Sequence, residues 1–460
     1  MGRIKLSFVF PRFKYFSGDP PLGLGYLASY LKKELPGIDV SIIDTTFTHS
    51  FTAAFKQLEK INPDIIGIYS DAIMSRDALS IANWSRERKI FTVFGGPQPT
   101  VSPDNFISCA DAVVKGEGEL VLTELLKHYG EKDLSSIPGL WWKRGGEVIQ
   151  NRPNRDFVNL DDLPFPQRDL LSMRSYMYYW NYLDAADIHR RGTTMMVSRS
   201  CPFVCSYCQP VIHEMFGEKL RLRSPENIIE EVASLQEQYG VDSIFFHDDT
   251  FTVDHRWLAE LCKRLDNLRP RILWGCNSRV DTVDEEVLRL MHASGLRNIH
   301  FGIESASQRI LDAVYNKQIR LDKVRDVIAS ADRIGIDTMG FFMLGAPGET
   351  PEEINKTISF AMGLKLKEAS FSLTTPLSGT YLYRKLLHDD SFEIDKDYDN
   401  RNYYSRYSIK GGIGFRRIKR LQLKAFLLFY LHPFRVKYIF RHLLHPRGIR
   451  KLFIKTRRSF

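Results

Sequence analysis

Ser200-Cys201-Pro202-Phe203-Val204-Cys205-Ser206-Tyr207-Cys208-Gln209 follows directly on the apolar run Thr193-Thr194-Met195-Met196-Val197, and it holds three of the chain's six cysteines. Thiolates spaced this way on one short loop can converge on a single inorganic centre, and soft sulfur ligands select iron–sulfur clusters, zinc or Cu(I). Three ligands leave a four-site cluster one ligand short, so one position stays open to a small molecule. Structural zinc normally takes four protein ligands. His213 could be recruited as the fourth, but there is no second cysteine pair.

Outward from that loop, residues 193–375 alternate short β-rich runs with helical patterns. The strand candidates are 193–197, 243–246, 272–275, 298–302, 338–344 and 369–373, with helices such as 226–239 and 351–364 between them. Six β/α units predict a partial (β/α)6 barrel of the TIM type, with its chemistry at the carboxyl ends of the strands. Polar residues cluster there: Asp248 and Asp249 in His247-Asp248-Asp249-Thr250-Phe251, the pair Ser278-Arg279, Glu304 in Gly302-Ile303-Glu304-Ser305, and the loop Met343-Leu344-Gly345-Ala346-Pro347-Gly348-Glu349-Thr350. Residues of these types also cap helices at strand-to-helix turns. Thr350 before Pro351 reads as an N-cap with proline at N1.

Residues 1 to about 130 show the same alternation, with strands at 5–10, 40–43, 65–69, 92–94 and 112–114 and helices at 22–35 and 76–88. Buried runs separated by helices predict a doubly wound, Rossmann-like parallel sheet, which binds ligands beyond the strand ends. Those ends are rich in Gly and Pro: Pro20 to Gly25, Gly95-Gly96-Pro97-Gln98-Pro99-Thr100 and Gly116-Glu117-Gly118-Glu119. Each could be a tight turn; three on one edge favour a flat or bulky ligand that the backbone approaches closely. The dinucleotide fingerprint G-x-G-x-x-G is absent.

Cys201-x-x-x-Cys205-x-x-Cys208 with Tyr207 before its last cysteine resembles the signature of the radical S-adenosylmethionine (SAM) superfamily. The runs Pro20 to Ala28, Pro63 to Ile68, Gly95 to Thr100 and Gly116 to Glu119 resemble the cobalamin-binding domain of B12-dependent radical SAM enzymes. The resemblance implies a [4Fe–4S] cluster on Cys201, Cys205 and Cys208, whose fourth iron chelates SAM and cleaves it to a 5′-deoxyadenosyl radical. It implies SAM contacts from Asp248 and Asp249 to the amino group, Ser278 and Arg279 to the carboxylate, Glu304 to the ribose, and Leu344 and Gly345 near the adenine. Cobalamin contacts are implied for Pro21, Leu22, Gly23, Gly67, Ser70, Gly95, Gly96, Pro97, Gln98, Thr100, Gly116, Glu117 and Gly118. The Asp-x-His-x-x-Gly signature of a lower axial histidine is absent, His49 lacks that context, and Gln98 is given no ligand role. A base-off cobalamin is therefore implied.

The implied reaction is methylation of an unactivated carbon in a lipid-like or secondary-metabolite substrate. Cyclisation, oxidation or carbon–carbon coupling without methyl transfer is the alternative, and a non-catalytic cobalamin or metal sensor comes below it. A methylthiotransferase is disfavoured, because Cys109 alone cannot hold a second cluster in the N-terminal domain. An electron donor such as flavodoxin or ferredoxin is implied as partner.

The expected organisation is a cobalamin-binding domain at 1–135, a hairpin and Pro-rich connector at 136–185, the barrel at 186–390 and a basic, aromatic-rich helical region at 391–460. With 26% charged residues and 43% hydrophobic content the chain is an ordinary globular one. Its cysteines outside the motif follow no disulfide pattern, which predicts a reducing, cytoplasmic setting. The N-terminus reads as a strand and not a signal peptide, and the apolar run 425–431 is far short of the roughly 20 residues that span a bilayer. Residues 401–460 hold 17 Lys/Arg and no Asp/Glu, whereas the remainder has 47 Lys/Arg against 55 Asp/Glu. That basic tail predicts a helical cap on the barrel, a peripheral membrane contact on anionic headgroups, or both. No base-reading module supports nucleic acid.

Overall fold

Strand β1 (Lys5–Phe10) buries every residue after Lys5, as a strand covered on both faces must. It lies between β2 (Asp39–Asp44) and β3 (Ile65–Tyr69) in a sheet that continues through β4 (Phe91–Gly95), β5 (Ala112–Val114) and the hairpin β6 (Leu140–Arg144) and β7 (Glu147–Gln150). Pairing among β1 to β5 is parallel; β6 runs antiparallel to β5, and Gly145 and Gly146, both at positive φ, turn it into β7. Leu6, Phe8 and Phe10 pack one face of the sheet with Leu24, Leu31, Leu122 and Leu125. Val9, Ile66, Ile68 and Phe94 pack the other with Leu58, Ile81 and Trp84. The strand order β2-β1-β3 puts the topological switch point at the carboxyl ends of β1 and β3.

In this computed structural model residues 4–183, 189–394, 409–410, 412–436, 444 and 448–449 are described. The tail residues Tyr438, Ile439, Phe440, Leu443 and Pro446, which the tail reading included, lie outside them. The chain divides into two units. One is Met1–Tyr176 with Arg199–Pro202 and Gln209–Arg221; the other is Met177–Ser198 with Phe203–Cys208 and Leu222–Phe460.

The second unit is built on six parallel strands in spatial order: Gly192–Met195, Ser243–Phe246, Leu273–Ser278, Leu296–Glu304, Asp337–Leu344 and Glu368–Leu373. This is the expected six-unit partial barrel. Residues facing the helices, among them Ile244, Phe246, Trp274, Cys276, Phe301, Phe342 and Phe371, form one large core. Ser224, Asp254 and Asp284 cap the helices they precede, and Thr350 forms a capping box with Glu353 ahead of Pro351 at N1. The first barrel strand stops at Met195 and not Val197, because the amides of Val197 and Ser198 turn to the Asp248 carboxylate at 3.0 and 2.6 Å.

The inward side of the barrel has its own filling. Trp180, Leu183 and Phe245 pack together, and a Cβ on Gly192 would lie 2.4 Å from the Trp180 ring. Tyr182 stacks on Phe245 with ring centroids 4.1 Å apart and stands 5.8 Å from both His247 and His300. Met196, Met339, Phe341 and Met343 are only partly buried, while their outward neighbours on the fifth barrel strand are fully buried.

Residues 415–436 of the basic tail pack on this unit, as the helical-cap reading expects. Helix Phe415–Tyr430 buries Ile418, Gln422, Ala425, Phe426 and Phe429. Gln422 donates to the Phe371 carbonyl at 2.8 Å, and the Tyr430 hydroxyl donates to that of Ala369 at 2.9 Å. Arg435 is buried in a cage of carbonyls, at 2.9 Å from Leu366 O and 2.6 Å from Leu364 O, with its guanidinium 3.7 Å above the Phe429 ring.

Candidate active site

In the first unit the strand-end loops present glycine backbone. Gly96 sits at φ +109°, where a Cβ would meet the Ser70 carbonyl at 2.7 Å, so the turn after β4 requires glycine. Gly23 and Gly95 have open space where a Cβ would project. Gly67, by contrast, lies within β3 against the Phe8 ring, and its missing side chain is filled by the sheet core. Ser70 is buried and donates to the Asp71 carbonyl; Gln98 is buried and donates to Ser102 Oγ. Thr100 Oγ1 donates to Gly96 O at 2.9 Å and accepts from Gly116 N at 3.0 Å, which joins the β4 and β5 loops. Pro21 precedes helix Leu22–Glu34, where Leu22 is buried.

Glu117 and Glu119 are engaged in an ion network. Arg199 meets Glu117 at 2.9 Å and Glu119 at 2.6 Å, and Arg221 also pairs with Glu117. Burial alone would lower the Arg199 pKa, but Glu119 and Glu117 outweigh it and hold the guanidinium firmly charged. The Glu117 carboxylate is thus shared between two arginines. Two residues beyond Arg199, the Cys201 carbonyl accepts from Gln209 Nε2 at 3.4 Å and lies 2.9 Å from His213 Nε2. Thus His213 is turned to backbone.

Sequence reasoning missed a further group around the ends of β1 and β2. The Arg12 guanidinium lies 4.7 Å over Phe10 and donates to the Asp19 carbonyl at 3.1 Å. The Tyr176 hydroxyl bonds Asp44 and Thr46, and burial followed by the Asp44 charge pushes its pKa up. Arg12, Asp44 and Thr46 lie at or just after strand ends, whereas Tyr176 lies in helix Met173–Tyr179 and nothing in the local sequence signals it.

In the second unit the cysteine loop is fixed by backbone. Ser206 N donates to Tyr315 O at 2.8 Å, its hydroxyl to Val314 O at 2.6 Å, and Cys208 N to Cys205 O at 3.1 Å. Arg279 reaches Cys205 Sγ at 3.5 Å while paired with Asp281 through Nε at 2.9 Å and Nη2 at 2.7 Å; it also donates to Lys317 O and covers the Phe203 ring at 3.8 Å. Burial pushes the Cys208 thiol up, with Asp249 and Cys205 adding to it. Among the described residues no three Cys, His, Asp or Glu side chains form a set able to hold a single metal ion. A cube of iron and sulfide instead takes its thiolates at separate corners, and a three-cysteine loop with a cation on one sulfur fits that group.

The two strand-end aspartates differ. Asp248 is buried and its Oδ1 accepts from Val197 N, Ser198 N and Ser198 Oγ; burial pushes its carboxyl up to about 6. It holds the ends of the first two barrel strands together. Asp249 is exposed at its surface, yet desolvation by the surrounding protein pushes its carboxyl up, only partly offset by the nearby His247. Ser278 shares a hydroxyl cluster with Thr252 at 2.6 Å and Thr282.

Glu304, at φ +65°, accepts from Lys317 Nζ at 2.8 Å and from the Tyr207 hydroxyl at 3.1 Å. A Cβ on Gly302 would lie 2.4 Å from that Lys317 nitrogen, so glycine makes the contact possible. Beyond Leu344, the amides of Gly345 and Ala346 donate to Glu349 Oε2 at 2.7 and 3.0 Å. Burial pushes the Glu349 carboxyl up to about 7. Lys317 and Glu349 were not singled out from sequence; Glu349 was quoted only as part of its loop.

A glycine-edged parallel sheet and a three-cysteine loop at a barrel mouth define an iron–sulfur enzyme that uses a second, bulky cofactor. Residues 18–126 match the B12 binding domain model, and residues 195–361 match that of the Radical SAM superfamily. The chain is 35% identical to an uncharacterized methyltransferase of Pyrococcus horikoshii over 94% of its own length and 93% of the relative's. It is 26% identical to the cytidylyl-2-hydroxyethylphosphonate methyltransferase of Streptomyces wedmorensis, covering 80% of this chain and 78% of that one. The fold is shared with the radical SAM methyltransferase TsrM of Kitasatospora setae, solved with cobalamin and a [4Fe–4S] cluster, at a TM-score of 0.69 and 19% identity over 84% of this chain and 75% of that one. The chain belongs to the cobalamin-dependent radical SAM enzymes, whose cofactors are a [4Fe–4S] cluster, SAM and cobalamin.

Proposed function

We propose that this enzyme transfers a methyl group from SAM to an unactivated carbon of a small lipid-like or secondary-metabolite substrate. The observation that carries methyl transfer is the near full-length match to a methyltransferase. The partly buried Met196, Met339, Phe341 and Met343 inside the barrel support an apolar substrate group. In this reading the cofactors supply radical initiation and the methyl carrier, and the protein supplies placement and dryness.

Cys201, Cys205 and Cys208 hold the cluster, with Arg279 steadying the Cys205 sulfur. Asp249 meets the SAM ammonium, because its carboxylate is the exposed one, while Asp248 and Ser278 set the rim. Glu304, oriented by Lys317 and Tyr207, accepts from the ribose, and Leu344 and Gly345 line the adenine side. Gly23, Gly95, Gly96, Pro97, Gln98, Thr100, Gly116 and Gly118 front the corrin, with Pro21, Leu22, Ser70 and Glu117 holding those loops. An electron donor of the flavodoxin or ferredoxin kind delivers electrons in a cytoplasmic setting. No described helix is long and apolar enough to cross a membrane.

The test is anaerobic reconstitution with iron, sulfide and cobalamin, followed by turnover with methyl-labelled SAM. Label appearing in the product, together with S-adenosylhomocysteine and 5′-deoxyadenosine, is the expected result. SAM consumed with the true substrate but without S-adenosylhomocysteine would refute methyl transfer in favour of cyclisation, oxidation or coupling.

A further inference from the structure

Helix Phe415–Tyr430 buries one face on the barrel and leaves a second on which leucines alternate with cations. Leu423, Leu427 and Leu431 follow one another at i, i+4 and i+8, and are 45%, 49% and 66% exposed; Leu428 is exposed beside them. Arg416, Arg417, Arg420 and Lys424 stand exposed on the same outward side. The helix carries no carboxylate, nor does any residue from 401 to 460. A helix whose sole task is to cover the barrel would have only polar residues outward, without a row of leucines among them.

We infer that this outward face is a docking surface for an anionic phospholipid membrane. The leucines enter the boundary between headgroups and acyl chains, and the arginines meet the lipid phosphates. A second copy of the chain fits less well, because an isologous contact would set four cations against four with no carboxylate between them. A nucleic acid would satisfy the cations and leave the exposed leucines in water. The inference stands on this helix alone and holds whether or not the reaction is methyl transfer.

Flotation of the full-length reconstituted enzyme tests it, using vesicles of phosphatidylcholine alone and of phosphatidylcholine mixed with phosphatidylglycerol. Binding is expected to the mixed vesicles and to fall with added salt. The triple variant Arg416→Gln, Arg417→Gln, Arg420→Gln should weaken it about 100-fold, from roughly fivefold per cation. The variant Leu423→Gln, Leu427→Gln, Leu431→Gln should weaken it at least about tenfold. All six positions are exposed, so the melting temperature should not move. No binding to the mixed vesicles, equal binding to neutral ones, or binding indifferent to both variants would overturn the inference. So would a concentration-dependent dimer that the leucine variant abolishes, which would assign the face to a second copy.

Discussion

Glu349→Gln is the substitution whose effect can be worked furthest from the structure. Glu349 is 5% exposed; Oε2 accepts the amides of Gly345 and Ala346, and Oε1 is buried with no hydrogen-bond partner among the described residues. Burial raises its carboxyl from the ordinary 4.5 to about 7. Between those two values the folded chain holds a proton that the unfolded chain has lost, so stability must fall as pH rises through this window and level off above it. At ~1.4 kcal/mol per tenfold in proton affinity, the decline attributable to this one group is ~3 kcal/mol. Glutamine keeps the acceptor for both amides and cannot ionise, so the variant's stability relative to the parent should climb by that amount across the window. The amide it introduces lacks a partner at the Oε1 position and costs about 1–3 kcal/mol at every pH, which shifts the curve without bending it. Urea denaturation of parent and variant, in matched buffers from below pH 4.5 to above pH 7, reads the difference. Parallel curves would refute the reasoning, and would mean that Glu349 is ionised in the folded chain.

Other sites give simpler expectations. Gly302→Ala puts a Cβ within 2.4 Å of Lys317 Nζ and 2.6 Å of Glu304 Oε1; it should cost ~1–3 kcal/mol in denaturation and weaken SAM binding measured by equilibrium dialysis. Arg199→Met strands Glu119 and leaves Glu117 with Arg221 alone, a loss of ~3–5 kcal/mol that should shrink on acidification as Glu119 takes up a proton; chemical denaturation at two pH values checks it. Arg435→Met removes the donor that holds the carbonyls of Leu364 and Leu366, and hydrogen exchange should speed up first in helix Phe415–Tyr430.

Much of this was legible along the chain because it is written in one dimension. The spacing of Cys201, Cys205 and Cys208, the alternation of buried strands and helical stretches, and Thr350-Pro351 with Glu353 all depend on near neighbours, and the structure places strands, helices and cap where those patterns predict. What escaped depends on distant partners. Lys317 follows a turn of no distinctive composition, and only Glu304 and Gly302, 13 and 15 positions earlier, give it meaning. Tyr182 precedes the barrel in sequence, yet it stacks on Phe245 inside it. Arg435 reads as one more cation of a basic tail until Leu364 and Leu366 are seen to surround it.

The strand-end rule located the polar residues but could not say which were spent. Asp248 and Asp249 are adjacent and chemically identical, and both lie in the loop just beyond the strand Ser243–Phe246. One carboxylate accepts the amides of Val197 and Ser198 and so ends the first barrel strand at Met195; the other stays exposed beside His247. Ser278 and Arg279 divide in the same way, the hydroxyl going to Thr252 and the guanidinium to the Cys205 sulfur. At each of these two strand ends one member of the pair builds the rim that holds the other in place. A substitution at Asp248 or Ser278 should therefore act on geometry, one at Asp249 on the charge that the mouth presents, and one at Arg279 on the buried contact with the Cys205 sulfur.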